Sequence, residues 1–434
     1  MGQIISSVGD RFYQFALLSI VLGVKGAQTE IGAGAAQVLF WAMVFTVLLA
    51  PWIGRIVDTH SRRTVMLVTD FGRAVLLLGL LFVWLMLGDQ AREPSSRWIV
   101  LAFVSAIGLL NGIFIPARQA SVSALVEKDE LVRANALVTT VGVIASLLGA
   151  TASVVLSLLG EVSVFFAAAL GFIVSGLFIL GIKNKLMPGE HDADHEKSLK
   201  SWMHGIHEAL IYTWRHESAR ALVLLAGIGQ FVLGLIVVFG LSHAMTSIDM
   251  QPATRSLAPL LSVFLGDQPP EERHVRLFAT VGLLICSAVG LFSGVILCGK
   301  VWHVGHYNAL PFWGLFLLGL SVFGFALAES LTLIFMVSLV LGLGGAMIAT
   351  AIDARLQSEV RSDWLGRVFA LRAAWMNTAF LLAMAMNLDG GLIQRFGADN
   401  LLKFVGFGAV FLSLVFMFTH PTWIRSLWHS KQPA

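Results

Sequence analysis

Asp10 and Arg11 head the first long apolar run of this chain, and Asp70 and Arg73 lie inside the third. A charge in the hydrocarbon region is costly, so each is a functional candidate. Asp10 has two readings: an interfacial pair with Arg11 at a helix N-terminus, where an acid suits the helix dipole, or a cavity-facing carboxylate that takes up a coupling proton or binds substrate. Asp70 and Arg73 are spaced i, i+3, share a helix face and can pair, which favours a structural tie. Gln14, Asn111, Gln230 and Asn377 are uncharged polar residues in apolar surroundings. Such groups either bond helix to helix or line a cavity, and both readings stay open.

The elements that must position them follow from composition. Of 434 residues, 57% are hydrophobic and only 13% charged, and the mean hydropathy is +0.82. A soluble domain carries about 25% charge; this chain has too little polar surface to face water, so its solvent is lipid. A span needs about 20 apolar residues. That ruler gives twelve spans, near 8–25, 33–53, 64–87, 98–124, 135–159 and 162–182, then 220–243, 277–299, 308–328, 331–354, 367–388 and 400–420. The expected fold is an all-α membrane protein of two six-helix bundles, 1–182 and 220–434, joined by a charged linker, 183–219. Within the linker, Trp202, Ile206, Leu210 and Trp214 recur at helical spacing and predict an amphipathic helix on the membrane surface. Lys and Arg gather in the linker and in the loops that share its side, which sets both termini in the cytoplasm. The segment 244–276 then lies outside, with Pro252, Pro259, Pro269 and Pro270 around an apolar stretch. It reads as a loop with a short interfacial helix, or as a lid or partner contact.

Several chemistries find no support. There is no phosphate-cradling Gly-Lys-Ser/Thr loop, no Gly-x-Ser-x-Gly elbow and no His-Glu-x-x-His pair, so the chain is not expected to be an enzyme. Cys286 and Cys298 fall in one apolar run, about 18 Å apart along a helix, too far to bridge. The 12 His are dispersed without a ligand cluster, and His243, near the outer end of span seven, reads as a solvated cap. No cofactor, metal or nucleic-acid partner is expected, and no basic run of the kind that binds nucleic acid is present. The expected partners are an amphipathic small molecule, protons and membrane lipid, with the chain acting as a monomer. Corresponding cationic exits after spans four (Arg118, Arg133) and ten (Arg355, Arg367) suggest a parallel repeat.

The polar gap after span two reads Gly54-Arg55-Ile56-Val57-Asp58-Thr59-His60-Ser61-Arg62-Arg63. Gly54 suits a close helix approach, Asp58 can accept from a neighbouring helix N-terminus, and the Arg pair holds the turn on the cytoplasmic side. This stretch resembles the loop 2–3 signature of the major facilitator superfamily, departing from it at Thr59 and Ser61. Pro116-Ala-Arg-Gln-Ala120, Ala134-Asn-Ala-Leu137 and Gly366-Arg367-Val368 resemble the macrolide-efflux and enterobactin-exporter branch. Gly9-Asp10 and Phe15-Ala16-Leu17 are also similar to lysophospholipid transporters and to the first helix of ferroportin, although Gln14 stands where ferroportin-like chains have His.

The resemblance implies a secondary transporter of a bacterial inner membrane. It would export hydrophobic or amphipathic molecules of drug or siderophore type by proton antiport and alternating access. Asp10 then leads as the proton or substrate carboxylate. Gly54, Asp58, Arg62, Arg63, Asp70, Arg73 and Arg118, with Asp353 and Arg355 in the second half, form the gating loops. A lysophospholipid flippase is the alternative, then a ferroportin-like metal exporter, then a membrane sensor or assembly partner without transport.

Overall fold

The computed structural model describes residues 9, 12–13, 28–87, 94–125, 142, 145, 148–149, 152–153, 156, 160–182, 199–246, 257, 259, 262, 272–302 and 309–419. Every regular element among them is helical. Nine of these helices are long and apolar enough to cross a membrane, and Leu310–Ala326 is a shorter apolar helix. The expected spans 8–25 and 135–159 fall almost wholly outside the described residues, as does most of 244–276. Residue contacts divide the chain into two compact units, 1–25 with 37–202 and 26–36 with 203–434.

The first unit is built on α1 (Gln28–Leu48, from residue 37 on), α2 (Ala50–Thr59), α3 (Arg62–Leu87), α4 (Pro94–Leu125) and α5 (Glu161–Leu180). α1 and α2 meet at Leu49, where Pro51 at the start of α2 lacks the N–H that would continue the ladder. α3 packs against both α4 and α5. Val65, Met66, Thr69, Asp70, Arg73, Ala74, Leu77, Leu80, Leu81 and Trp84 make its buried face, while Val68, Val75, Phe82, Leu85 and Met86 are exposed. Both faces are largely apolar, so the helix is sorted between neighbours and lipid by packing and by where its polar residues sit. Gly108 admits α1 closely: a Cβ there would lie 2.0 Å from the carbonyl oxygen of Ala42.

The second unit holds α6 (Leu199–Arg215, from residue 203 on) and α7 (Glu217–Leu235), followed by a π-helical turn (Ile236–Gly240) and α8 (Leu241–Thr246). α9 (Glu272–Trp302), α10 (Leu310–Ala326), α11 (Leu331–Glu359), α12 (Ser362–Ala385), α13 (Gly391–Phe396) and α14 (Ala398–Thr419) complete it. α11 packs against α9 and α10, α10 against α14, and α7 against α12. The approach of α11 to α9 is set at Gly342, where a Cβ would lie 1.9 Å from the carbonyl oxygen of Ser287. Small residues at such crossings are what allow helices to associate where lipid removes the hydrophobic drive.

Candidate functional site

The polar centre of the first unit lies among α3, α4 and α5. Asp70 and Arg73 are ion-paired, both side chains 0% exposed. Arg73 Nη1 donates to Asn111 Oδ1 on α4 (3.1 Å), and Ser175 Oγ on α5 donates to Asp70 Oδ2 (2.7 Å). The guanidinium lies between two rings, with Cζ 4.3 Å from the centroids of both Phe114 and Phe172. Each element contributes by register: Asp70 and Arg73 stand one turn apart on the buried face of α3, facing Asn111 and Phe114 of α4 and Phe172 and Ser175 of α5. Removing two charges from water carries a large desolvation cost, which the mutual attraction, the added hydrogen bonds and the ring faces offset. Both side chains are enclosed, and their contacts among the described residues join three helices. Asn111 belongs to this tie. Ser175, Phe114 and Phe172 were not expected from sequence, because a serine and two phenylalanines in apolar helices carry no signal of their own.

The loop ahead of α3 acts on helix ends. Arg63 donates from Nη2 to the carbonyl of Leu180 (2.7 Å) and from Nε to that of Ile179 (3.3 Å). Arg62 Nη1 donates to the carbonyl of Ala120 near the end of α4 (3.1 Å). Cations at helix C-termini satisfy orphan carbonyls and suit the negative end of the dipole. The close approach expected at Gly54 is not found among the described residues. No described atom lies within 4 Å of a Cβ built there. Asp58 is in α2 and its side chain lies outside the described residues, as do Asp10 and Gln14 entirely. Arg118 is half-buried, 5.8 Å from the Phe114 ring.

In the second unit Asp353 pairs with Arg372, joining α11 to α12, whereas Arg355 pairs with Glu359 one turn along α11 (2.5 Å). The two expected gating residues therefore take different partners, and neither Arg372 nor Glu359 was anticipated. Arg367 at the start of α12 pairs with Glu208 of α6 (2.6 Å), and Tyr212 stacks on Trp364 with centroids 4.8 Å apart. These contacts fix α6 to α12 and leave Leu210, Ile211 and Trp214 exposed on its other side. Gln230 and Asn377 are half-buried on α7 and α12, two helices that meet where Gly227 admits Trp375. His243 is not a solvated cap: it is 3% exposed, because α8 turns it inward against α10 and α14. Cys286 and Cys298 are free thiols.

Comparison with known proteins adds four likenesses. The family model of the Major Facilitator Superfamily matches residues 1–384. The "Putative bacilysin exporter BacE" of Bacillus amyloliquefaciens is 25% identical over 400 residues, 91% of this chain and 89% of that protein. The lysophospholipid transporter LplT of Klebsiella pneumoniae is 23% identical over 418 residues, 94% of this chain and 91% of that protein. Among solved structures, a bacterial homologue of the iron transporter ferroportin in an inward-facing state superposes with a TM-score of 0.64 at 15% identity. The match covers 99% of this chain and 97% of that one. That likeness is one of fold alone.

Proposed function

Because the chain belongs to the Major Facilitator Superfamily, a family of membrane transporters and not of enzymes, we propose that it exports hydrophobic or amphipathic small molecules by proton antiport. The observation that carries the reading is the likeness to BacE over nine-tenths of both chains, joined to the exporter-type sequence at 116–120 and 366–368. In this proposal twelve spans form two six-helix bundles, 1–182 and 220–434, with 183–219 as the cytoplasmic linker. Both termini face the cytoplasm of a bacterial inner membrane. The monomer alternates access to a central site and needs no nucleic-acid partner.

Asp10 carries the proton or meets the substrate, with Gln14, Gln230 and Asn377 as further candidates for the site. Asp58 of α2, Arg62 and Arg63 at the start of α3 and Arg118 of α4, with Asp353 and Arg355 in the second half, govern closure. Exchange requires the proton to favour the state that substrate disfavours. The LplT relative supports a second reading, lysophospholipid translocation without a coupled proton.

The test is reconstitution in liposomes enclosing a pH dye, with an imposed proton gradient. Bacilysin, ethidium and lysophosphatidylethanolamine are added in turn to wild type and Asp10→Asn. Substrate-dependent proton flux that Asp10→Asn abolishes supports the antiporter. Lipid movement with no proton flux supports the flippase and removes Asp10 as a proton carrier.

A further inference from the structure

Span seven changes its helical register before it ends. The π-helical turn Ile236–Gly240 between α7 and α8 widens the helix by one residue, and such turns recur at functional positions because they re-aim the side chains that follow. The side chain re-aimed here is His243. Its Nδ1 lies 2.5 Å from Oδ1 of Asp399 in the first turn of α14. Its ring is tilted against Phe325 of α10, with centroids 5.7 Å apart. The His243 side chain is 4% exposed and that of Asp399 45%, so a buried imidazole is joined through a carboxylate to the surface of the unit.

Two further observations separate this from an ordinary helix tie. Nε2 of His243 is buried and has no hydrogen-bond partner among the described residues. Asn387, 0% exposed, likewise has both amide atoms buried and unpartnered among them. Asn387 and Ser242 both lie close to Gly32, where a Cβ would be 3.3 Å from Asn387 Nδ2 and 3.6 Å from Ser242 Cβ. Buried polar groups left unpaired are destabilising by about 1–3 kcal/mol each. An imidazole bonded through Nδ1 can gain or lose a proton at Nε2 while keeping its carboxylate bond.

We propose that His243 and Asp399 form a proton-binding site in the second unit, at the end where 244–276 emerges. The proton adds to the Nε2 lone pair, no bond breaks, and the product is an imidazolium held by the Asp399 carboxylate. Protonation turns the bond from a neutral imidazole to the Asp399 carboxylate into an ion pair between α8 and α14 and holds α8 more firmly. Among the described residues, the charged groups on the elements around the pair are these. α8 and the π-helical turn carry no other charged residue, and α10 carries none. α14 adds Lys403, one turn beyond Asp399. Near Asn387, Asp389 accepts from the Gly391 N–H (2.9 Å), α13 carries Arg395, and Glu30 at the start of α1 is exposed. The site is independent of Asp10 and of any substrate, and stands whether or not the antiport reading does.

Hydrogen exchange of 236–246 in the full-length protein tests it. Exchange is measured between pH 5 and 8.5 with the intrinsic rate divided out. In wild type, protection is expected to fall about fivefold as pH rises, as the ion pair gives way to a bond from the neutral imidazole, a difference of about 1 kcal/mol. His243→Gln and Asp399→Asn should each give a pH-independent profile, with exchange elsewhere unchanged. A difference titration of wild type against His243→Gln should find one proton fewer bound per chain across this range. A flat wild-type profile, or an unaltered pH dependence in both variants, overturns the proposal. Should one variant fail to fold, the other and the wild-type profile still decide.

Discussion

At the scale of single residues, the Asp70–Arg73 pair defines what a buried charge does in this chain. Both side chains are fully enclosed, and the guanidinium has an amide, a carboxylate and two rings around it. Removing one partner strands the other, so Asp70→Asn and Arg73→Met should each destabilise by about 3–5 kcal/mol. The double variant should recover part of that loss, and Ser175→Ala should cost about 1 kcal/mol. Thermal unfolding of the purified protein in detergent, arranged as a double-mutant cycle, measures the coupling. Additive losses would show that the pair does not act as a unit. The i, i+3 spacing made this pair legible in the sequence. Ser175 and the two rings were not, because their role comes from the rotation of α4 and α5 about their axes, which a uniformly apolar helix does not encode. His243 was misread for a related reason: the π-helical turn shifts its face, and nothing in Ile236-Val-Val-Phe-Gly240 announces an added residue.

At the scale of elements, helix ends and crossings carry the specificity. Arg63 closes the C-terminal carbonyls of α5, so Arg63→Ala should lower stability by about 1 kcal/mol. Arg63→Lys should lose less, since it keeps the charge and gives up only the forked geometry. Melting curves of the two variants side by side separate those contributions. Gly342→Leu should abolish the crossing of α9 and α11, seen as loss of monodisperse protein on size exclusion; retention of a sharp peak with unchanged melting would contradict the contact at Ser287. The positions of the nine spans among the described residues were legible because hydropathy reports length. The crossing points were less so: Gly342, Gly344 and Gly345 are consecutive candidates, yet only the first two press on neighbours among the described residues. Gly54, prominent in the motif, presses on none of them.

At the scale of the whole molecule, α6 is part of the second unit and is pinned to α12 by Glu208–Arg367 and Tyr212–Trp364. Trp364→Ala combined with Arg367→Glu should free it, and limited proteolysis should then cut within 203–215 in membranes where wild type resists. Exchanging the charges, Glu208→Arg with Arg367→Glu, should restore resistance in part. The helical spacing of α6 was readable from Leu210 and Trp214, which are exposed. Its partner was not readable, because Glu208 and Tyr212 are far in sequence from Arg367 and Trp364.

The π-helical turn also governs how span seven is to be numbered around its axis. One residue inserted in an α-helix rotates everything beyond it by about 100°. A cysteine scan of 217–246 with a water-soluble thiol reagent should therefore give two reactive stripes instead of one, offset by that angle on either side of 236–240. Deleting a single residue within the turn should merge them into one continuous stripe and turn His243 away from Asp399.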